Sequence, residues 1–317
     1  MDSKVRAKKA LGQHFLTDQS IARAIVDALG KIPDQVRKDA TGVRNDATGV
    51  RNDATGVWND NGAIRDDRLV IPRPERPSVS PVLEVGPGMG VLTQYLLERE
   101  DIDLKLVEID GESVEYLLTH FPAIQGRLLQ ADFLRLPLEK YFQGHFRIIG
   151  NFPYNLSSQI FFKVLDYRDQ IPEVVGMVQK EVAERLAEGP GSKTYGILSV
   201  LLQAWYDIEY LFTVGSGAFA PPPKVQSAVI RLCRNGRTEL GCDEALFKTI
   251  VKTSFGQRRK TLRNSLKPLL KARAEREGWD EAQAAAFTAD PVFDLRPERL
   301  GVEDFVSLTR KVSGIWK

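Results

Sequence analysis

The stretch Val82-Leu83-Glu84-Val85-Gly86-Pro87-Gly88-Met89-Gly90 carries an apolar run straight into three glycines at alternate positions. Val82 to Val85 reads as a buried strand. Val91 to Arg99 reads as a helix with Val91, Leu92, Tyr95 and Leu96 on one face. Glycines between the two let the backbone approach a ligand closely and adopt dihedrals closed to other residues. In a doubly wound sheet such a loop lies at the carboxyl ends of the strands, where ligands bind. The spacing is G-x-G-x-G, because position 91 is Val. It departs from the G-x-G-x-x-G of dinucleotide sites.

Further short apolar runs follow at Leu104 to Ile109, Leu128 to Ala131, Phe146 to Ile149 and Val174 to Val178, the last leading into a helix through Val182 and Leu186. Strands alternating with helices predict an α/β fold with a parallel, Rossmann-like sheet. Tyr206 to Val214 and Val225 to Leu232 predict a late hairpin, and from Asp243 onward only helical patterns occur: Ala245 to Phe255, Arg258 to Lys271 and Val302 to Val312. The expected organisation is a basic tail and first helix over residues 1–33, an insertion over 34–78, the α/β domain over 79–235 and a small all-helical domain over 236–317. Within the insertion, Arg37-Lys38-Asp39-Ala40-Thr41-Gly42-Val43 recurs from Arg44 to Val50 and from Arg51 to Val57. One large apolar residue per seven cannot build a coiled-coil seam or offset ordering entropy, so this segment predicts flexible low-complexity chain.

Composition narrows the class. Of 317 residues, 43% are hydrophobic and 27% charged, which excludes collagen-like, wholly disordered and disulfide-scaffold proteins. The two cysteines, Cys233 and Cys242, match no zinc spacing. No apolar run approaches the roughly 18 residues of a membrane helix, and Met1 to Arg6 leads into no signal-peptide core. A cytoplasmic protein is expected, with no membrane partner, no metal and a single copy as the working unit. The net charge is only +2, yet Lys248 to Ala274 holds nine basic residues and no acidic one. Local clusters of this kind mark contact with a polyanion.

Two carboxylates extend the glycine loop into a site. Glu108 ends the next strand, where it can accept from ribose hydroxyls, and Asp132 ends the following one, where it can accept from an adenine amine. Ribose and adenine without a pyrophosphate suit S-adenosylmethionine (SAM). After the next strand comes Gly150-Asn151-Phe152-Pro153-Tyr154. An adenine amine is a poor nucleophile because its lone pair is delocalised into the ring. Two acceptors on its hydrogens favour the pyramidal geometry of attack; Asn151 supplies a side-chain carbonyl and Phe152 a backbone one. Pro153 restricts the residue before it to extended conformations. Tyr154 offers a face for a base taken out of its helix. A sulfonium leaves readily, so positioning suffices without a strong base.

These motifs resemble those of the KsgA-type ribosomal RNA small-subunit adenine dimethyltransferases, over the whole chain except the repeat insertion. Lys8-Lys9-Ala10-Leu11-Gly12-Gln13-His14-Phe15-Leu16 is similar to the family's N-terminal motif, which implies that Gln13, His14 and Leu16 edge the SAM site. The resemblance also implies cofactor contacts at Gly86, Gly88, Glu108, Ile109, Asp132, Phe133 and Asn151. Gln179 to Leu186 matches the following helix. Phe219-Ala220-Pro221-Pro222-Pro223-Lys224-Val225-Gln226-Ser227 resembles a family signature, which implies that Phe219 packs on the target adenine opposite Tyr154; by itself, Phe219 reads as core. Ser254 to Asn264 resembles the RNA-facing motif, which implies RNA contacts from Arg258, Arg259, Lys260 and Arg263. Arg259 and Arg263, four apart, are expected to share a helix face.

The expected fold is thus a SAM-dependent methyltransferase sheet with a helical C-terminal domain. The implied activity is N6,N6-dimethylation of two adjacent adenines near the 3′ end of small-subunit (16S) rRNA, within a small ribosomal subunit or its precursor. An erythromycin-resistance-type enzyme acting on the large subunit and an assembly factor that acts mainly by binding are the alternatives. Position 14 is His where many relatives carry Asn, and position 152 is Phe where Leu or Ile is usual.

Overall fold

The computed structural model describes Lys8, residues 13–30 and residues 79–314. The repeat insertion expected over 34–78 and most of the basic tail lie outside the described residues. The described residues form nine strands: β1 Phe15–Leu16, β2 Ser80–Val85, β3 Ile102–Glu108, β4 Leu128–Gln130, β5 Arg147–Asn151, β6 Glu173–Gln179, β7 Tyr206–Val214, β8 Phe219–Ala220 and β9 Ser227–Arg234. Seven of them form one sheet in the order β4-β3-β2-β5-β6-β9-β7, and β1 pairs with β8 in a separate two-stranded ladder. β2 to β6 run parallel, and β9 is antiparallel to both of its neighbours.

Side chains alternate across the sheet, so both faces must be apolar. Val82, Ile149 and Val175 are buried on one face, with Ala22, Ile25 and Val26 of the helix Gln19–Asp27. Leu83, Ile148 and Val174 are buried on the other, in a cluster that continues through Phe247, Ile250 and Phe305 of the C-terminal helices. The helical region after Asn235 therefore shares a core with the sheet. Among the described residues no helix is long and apolar enough to cross a membrane.

The hairpin and the strands lie where the sequence predicts them, but two helices do not. The helix expected over Val91 to Arg99 is confined to Thr93–Leu97, because the glycine turn runs on through Leu92. The helix expected over Arg258 to Lys271 is broken. The helix Glu244–Gly256 stops at its glycine, Thr261 starts a short helix at Leu262–Ser265, and Lys267–Glu277 begins again around Pro268. Gly favours helix ends, and Pro fits only the first turn of a helix. Arg259 thus lies in a turn and shares no helix face with Arg263.

Candidate active site

The strand order reverses between β2 and β5, which makes their carboxyl ends the topological switch point of the sheet. Glu84 pairs with Ile149 across these two strands, so the glycine loop and the Asn151 loop emerge side by side. A cleft opens there. It is lined by all ten residues expected to hold the cofactor: Gln13, His14, Leu16, Gly86, Gly88, Glu108, Ile109, Asp132, Phe133 and Asn151. Phe152, Pro153 and Tyr154 line it too.

The glycines are required by geometry. Gly86 has φ +69° with open space where a side chain would stand, so bare backbone faces the cleft. Gly88 has φ +59°, and a Cβ there would come 3.1 Å from the Phe15 ring. Glu108 is 4% exposed. Its Oε2 accepts from Gly88 N (3.1 Å) and its Oε1 from Ile109 N (2.8 Å) and Asp110 N (2.9 Å). Burial raises its pKa, and these bonds offset part of the rise. Asp132 accepts from Leu134 N at 2.9 Å through one oxygen and keeps the other towards solvent and Arg135.

Asn151 ends β5 and donates from Nδ2 to His14 O at 3.0 Å. Its carbonyl oxygen is thereby turned away from His14. Phe152 donates its N–H to Met177 O at 3.0 Å, which fixes the peptide that follows Asn151. The Phe152 ring is fully buried. A Cβ on Gly150 or Gly176 would come within 2.9 Å and 2.4 Å of it, so two glycines make the room for a ring in place of an aliphatic side chain. Ser157 donates to Pro153 O at 3.1 Å and locks the turn. Tyr154 and Ser227 hydroxyls bond at 2.5 Å, and burial raises the Tyr154 pKa, which keeps the phenol neutral.

Phe219 departs from the place the resemblance implies and matches its own reading as core. It is 4% exposed and packed in the core, and it does not line the cleft. Its pairing with Leu16 in the β1–β8 ladder puts both side chains on the buried face. The ring that faces Tyr154 is instead His14, at 5.4 Å between centroids, with Nδ1 held 3.0 Å from Pro221 O.

Several contributors carried no readable signal. Lys8 forms ion pairs with Asp110 and Glu112, just after Glu108 in the chain. Glu84 lines the cleft at 1% exposure; it accepts from the Thr93 hydroxyl at 2.7 Å, while its Oε1 has no partner. Burial pushes its pKa up to about 8. A carboxyl raised above its unfolded value stabilises the fold fully below about 4.5, and that contribution is lost as pH rises through about 8. Wild type is therefore expected to lose a few kcal/mol between these limits. Glu84→Gln, which cannot ionise, should flatten the curve; parallel thermal melts across pH would refute this.

At the expected RNA surface, two of the four basic residues are tied down. Arg258 donates to Ser192 O at 2.9 Å and lies near Glu298. Arg263 pairs with Asp294 at 2.6 Å and also donates to Thr288 O. Arg259 and Lys260 are exposed and make no ion pair among the described residues.

Residues 73–284 match the model of the family described as ribosomal RNA adenine dimethylase. A protein of Parabacteroides distasonis called ribosomal RNA small subunit methyltransferase A is 55% identical over 305 residues, covering 96% of this chain and 93% of that one. A protein of the same name from Porphyromonas gingivalis is 50% identical over 308 residues, covering 96% and 97%. In fold, the chain is similar to the crystal structure of a dimethyladenosine transferase from Plasmodium falciparum. The TM-score is 0.61 at 21% identity, covering 76% of this chain and 94% of that one.

Proposed function

The chain belongs to the ribosomal RNA adenine dimethylase family. From that premise we propose that it is a SAM-dependent rRNA (adenine-N6,N6-)dimethyltransferase, acting on two adjacent adenines near the 3′ end of 16S rRNA during ribosome biogenesis in the cytoplasm. The observation that carries this reading is the convergence of Gly86, Glu108, Asp132 and Asn151 on one cleft at the switch point. Relatives named for the small subunit support it over a large-subunit target.

The donor set fits SAM. Bare backbone at Gly86, the half-committed carboxylates Glu108 and Asp132 and the orphaned Glu84 oxygen suit a ligand with a ribose, an amine and positive charge. SAM, when bound, supplies an electrophilic methyl group on a sulfonium. A carboxylate has about four acceptor sites, so three backbone bonds leave Glu108 capacity for a ribose hydroxyl. Asn151 Oδ1 and the Phe152 carbonyl accept from the two amine hydrogens and hold the nitrogen lone pair towards the methyl carbon. The neutral Tyr154 ring flanks the base. The proton released from nitrogen leaves to water.

Methyl transfer should be measured on undermethylated small subunits, large subunits and duplex DNA. Label confined to small subunits is expected; label only on large subunits would move the protein to the resistance-type activity. For the RNA surface, replacing Arg259 and Lys260 together by Ala should weaken binding and lower the salt slope by about 0.7–0.9 per lost phosphate contact. Arg258→Ala and Arg263→Ala should instead lower the melting temperature. An unchanged slope in the double variant would place phosphate contact elsewhere.

A further inference from the structure

A second cavity of about 580 Å³ lies between the helices Ser157–Asp166, Lys180–Ala187 and Glu244–Gly256, outside the cofactor cleft. Its walls carry Arg185, Lys193, Lys252 and Arg258 against a single acid, Glu181, which already bonds Arg185 at 2.9 Å. Lys252 Nζ stands 5.8 Å from the centre of the Phe162 ring, and Phe255 lies in the same wall. Neither Lys193 nor Lys252 has an ion pair among the described residues, and both are exposed. Cations interleaved with aromatic faces match the chemistry of a nucleic-acid strand, with phosphates on the cations and a base on a ring.

The helix Ser157–Asp166 divides the two cavities. Leu156 and Ile160 line the cofactor cleft, whereas Ser158 and Phe162, four apart, line the second groove. Ser158 lies four residues after Tyr154, which stands in the turn just before this helix. The groove thus lies across this one helix from the cleft that takes the target base.

We propose that this groove takes an unpaired nucleotide of the RNA strand that carries the target adenines, its base against Phe162 and its phosphate between Lys193 and Lys252. The proposal rests on the reading of the protein as an RNA methyltransferase. A recessed aromatic floor suits one unstacked base and excludes a duplex, whose bases are covered.

The test uses the full chain, a short single-stranded oligoadenylate, its abasic counterpart, a duplex of equal length and polyglutamate. Binding is read by anisotropy, and KM and kcat are measured on undermethylated small subunits. Lys193→Gln and Lys252→Gln should each weaken oligoadenylate binding several-fold and raise KM, with kcat and SAM affinity unchanged. Phe162→Leu should weaken oligoadenylate roughly tenfold and leave the abasic strand unaffected. Unchanged KM and oligoadenylate affinity in both lysine variants, with wild type still active on small subunits, would overturn the groove and spare the enzymatic reading. Polyglutamate displacing the strand with equal affinity would assign the groove to an acidic protein and also overturn it. A wild-type protein that methylates no RNA would overturn both.

Discussion

Asn151→Ala is expected to slow methyl transfer by at least roughly 100-fold, the scale on which removal of one preorganised polar group acts. Partial SAM affinity should remain, since Glu108, Asp132 and the glycine loop are untouched. The side chain joins two roles: Nδ2 donates to His14 O at 3.0 Å, and the opposite oxygen is left for the proposed bond from the adenine amine. Asn151→Asp separates them. It keeps an acceptor but sets a carboxylate oxygen against the His14 carbonyl. The rate lost by Asp therefore reports orientation, and the further loss in Ala reports the acceptor. Single-turnover rates on small subunits, with SAM binding measured by calorimetry, check both. A rate within a few-fold of wild type in Asn151→Ala would remove Asn151 from the chemistry, and one in Asn151→Asp would remove the His14 bond from its orientation.

Glu173→Ala is expected to cost about 3–5 kcal/mol of folding stability, the range for removing one partner of a buried ion pair. Arg147 is fully buried at the start of β5, and Glu173 stands 3.5 Å away at the start of β6. The same carboxylate accepts from Arg231 at 2.7 Å and from Gly30 N at 3.1 Å. Arg147 already has Nε and Nη2 without partners, and burial lowers its pKa. Without Glu173 it keeps chiefly the Gly30 carbonyl. This cluster lies at the amino ends of the strands, opposite the cleft. SAM affinity in the folded variant should therefore stay near wild type. Denaturant titration checks the stability, and a loss below about 1 kcal/mol would show that the cluster is not under the strain of burial.

The parallel sheet and the cofactor cleft were legible because their signals are local. Val82 to Gly90 and Gly150 to Tyr154 each combine a strand with the loop that follows it. The doubly wound topology then brings the two loops together through the β2–β5 pairing. Long-range partners left no such trace. Phe219 by itself reads as core, but the ladder partner that sets its burial, Leu16, lies some two hundred residues earlier. Arg258 and Arg263 stand in the stretch expected to face RNA, but their partners Ser192, Asp294 and Thr288 come from distant segments. The helix expected over Arg258 to Lys271 fails for a local reason: Gly256 and Pro268 override the periodicity between them. Nothing in Phe146-Arg147-Ile148 announces that Arg147 is a cation with no solvent exposure.

The most direct test of the site is the identity of the modified nucleoside. Undermethylated small subunits would be incubated with labelled SAM, and their RNA digested and resolved. Label in N6,N6-dimethyladenosine with wild type, and its loss with Asn151→Ala, is the expected result. Label in any other nucleoside, or dimethyladenosine formed undiminished by the Asn151→Ala variant, would contradict the assignment of this cleft.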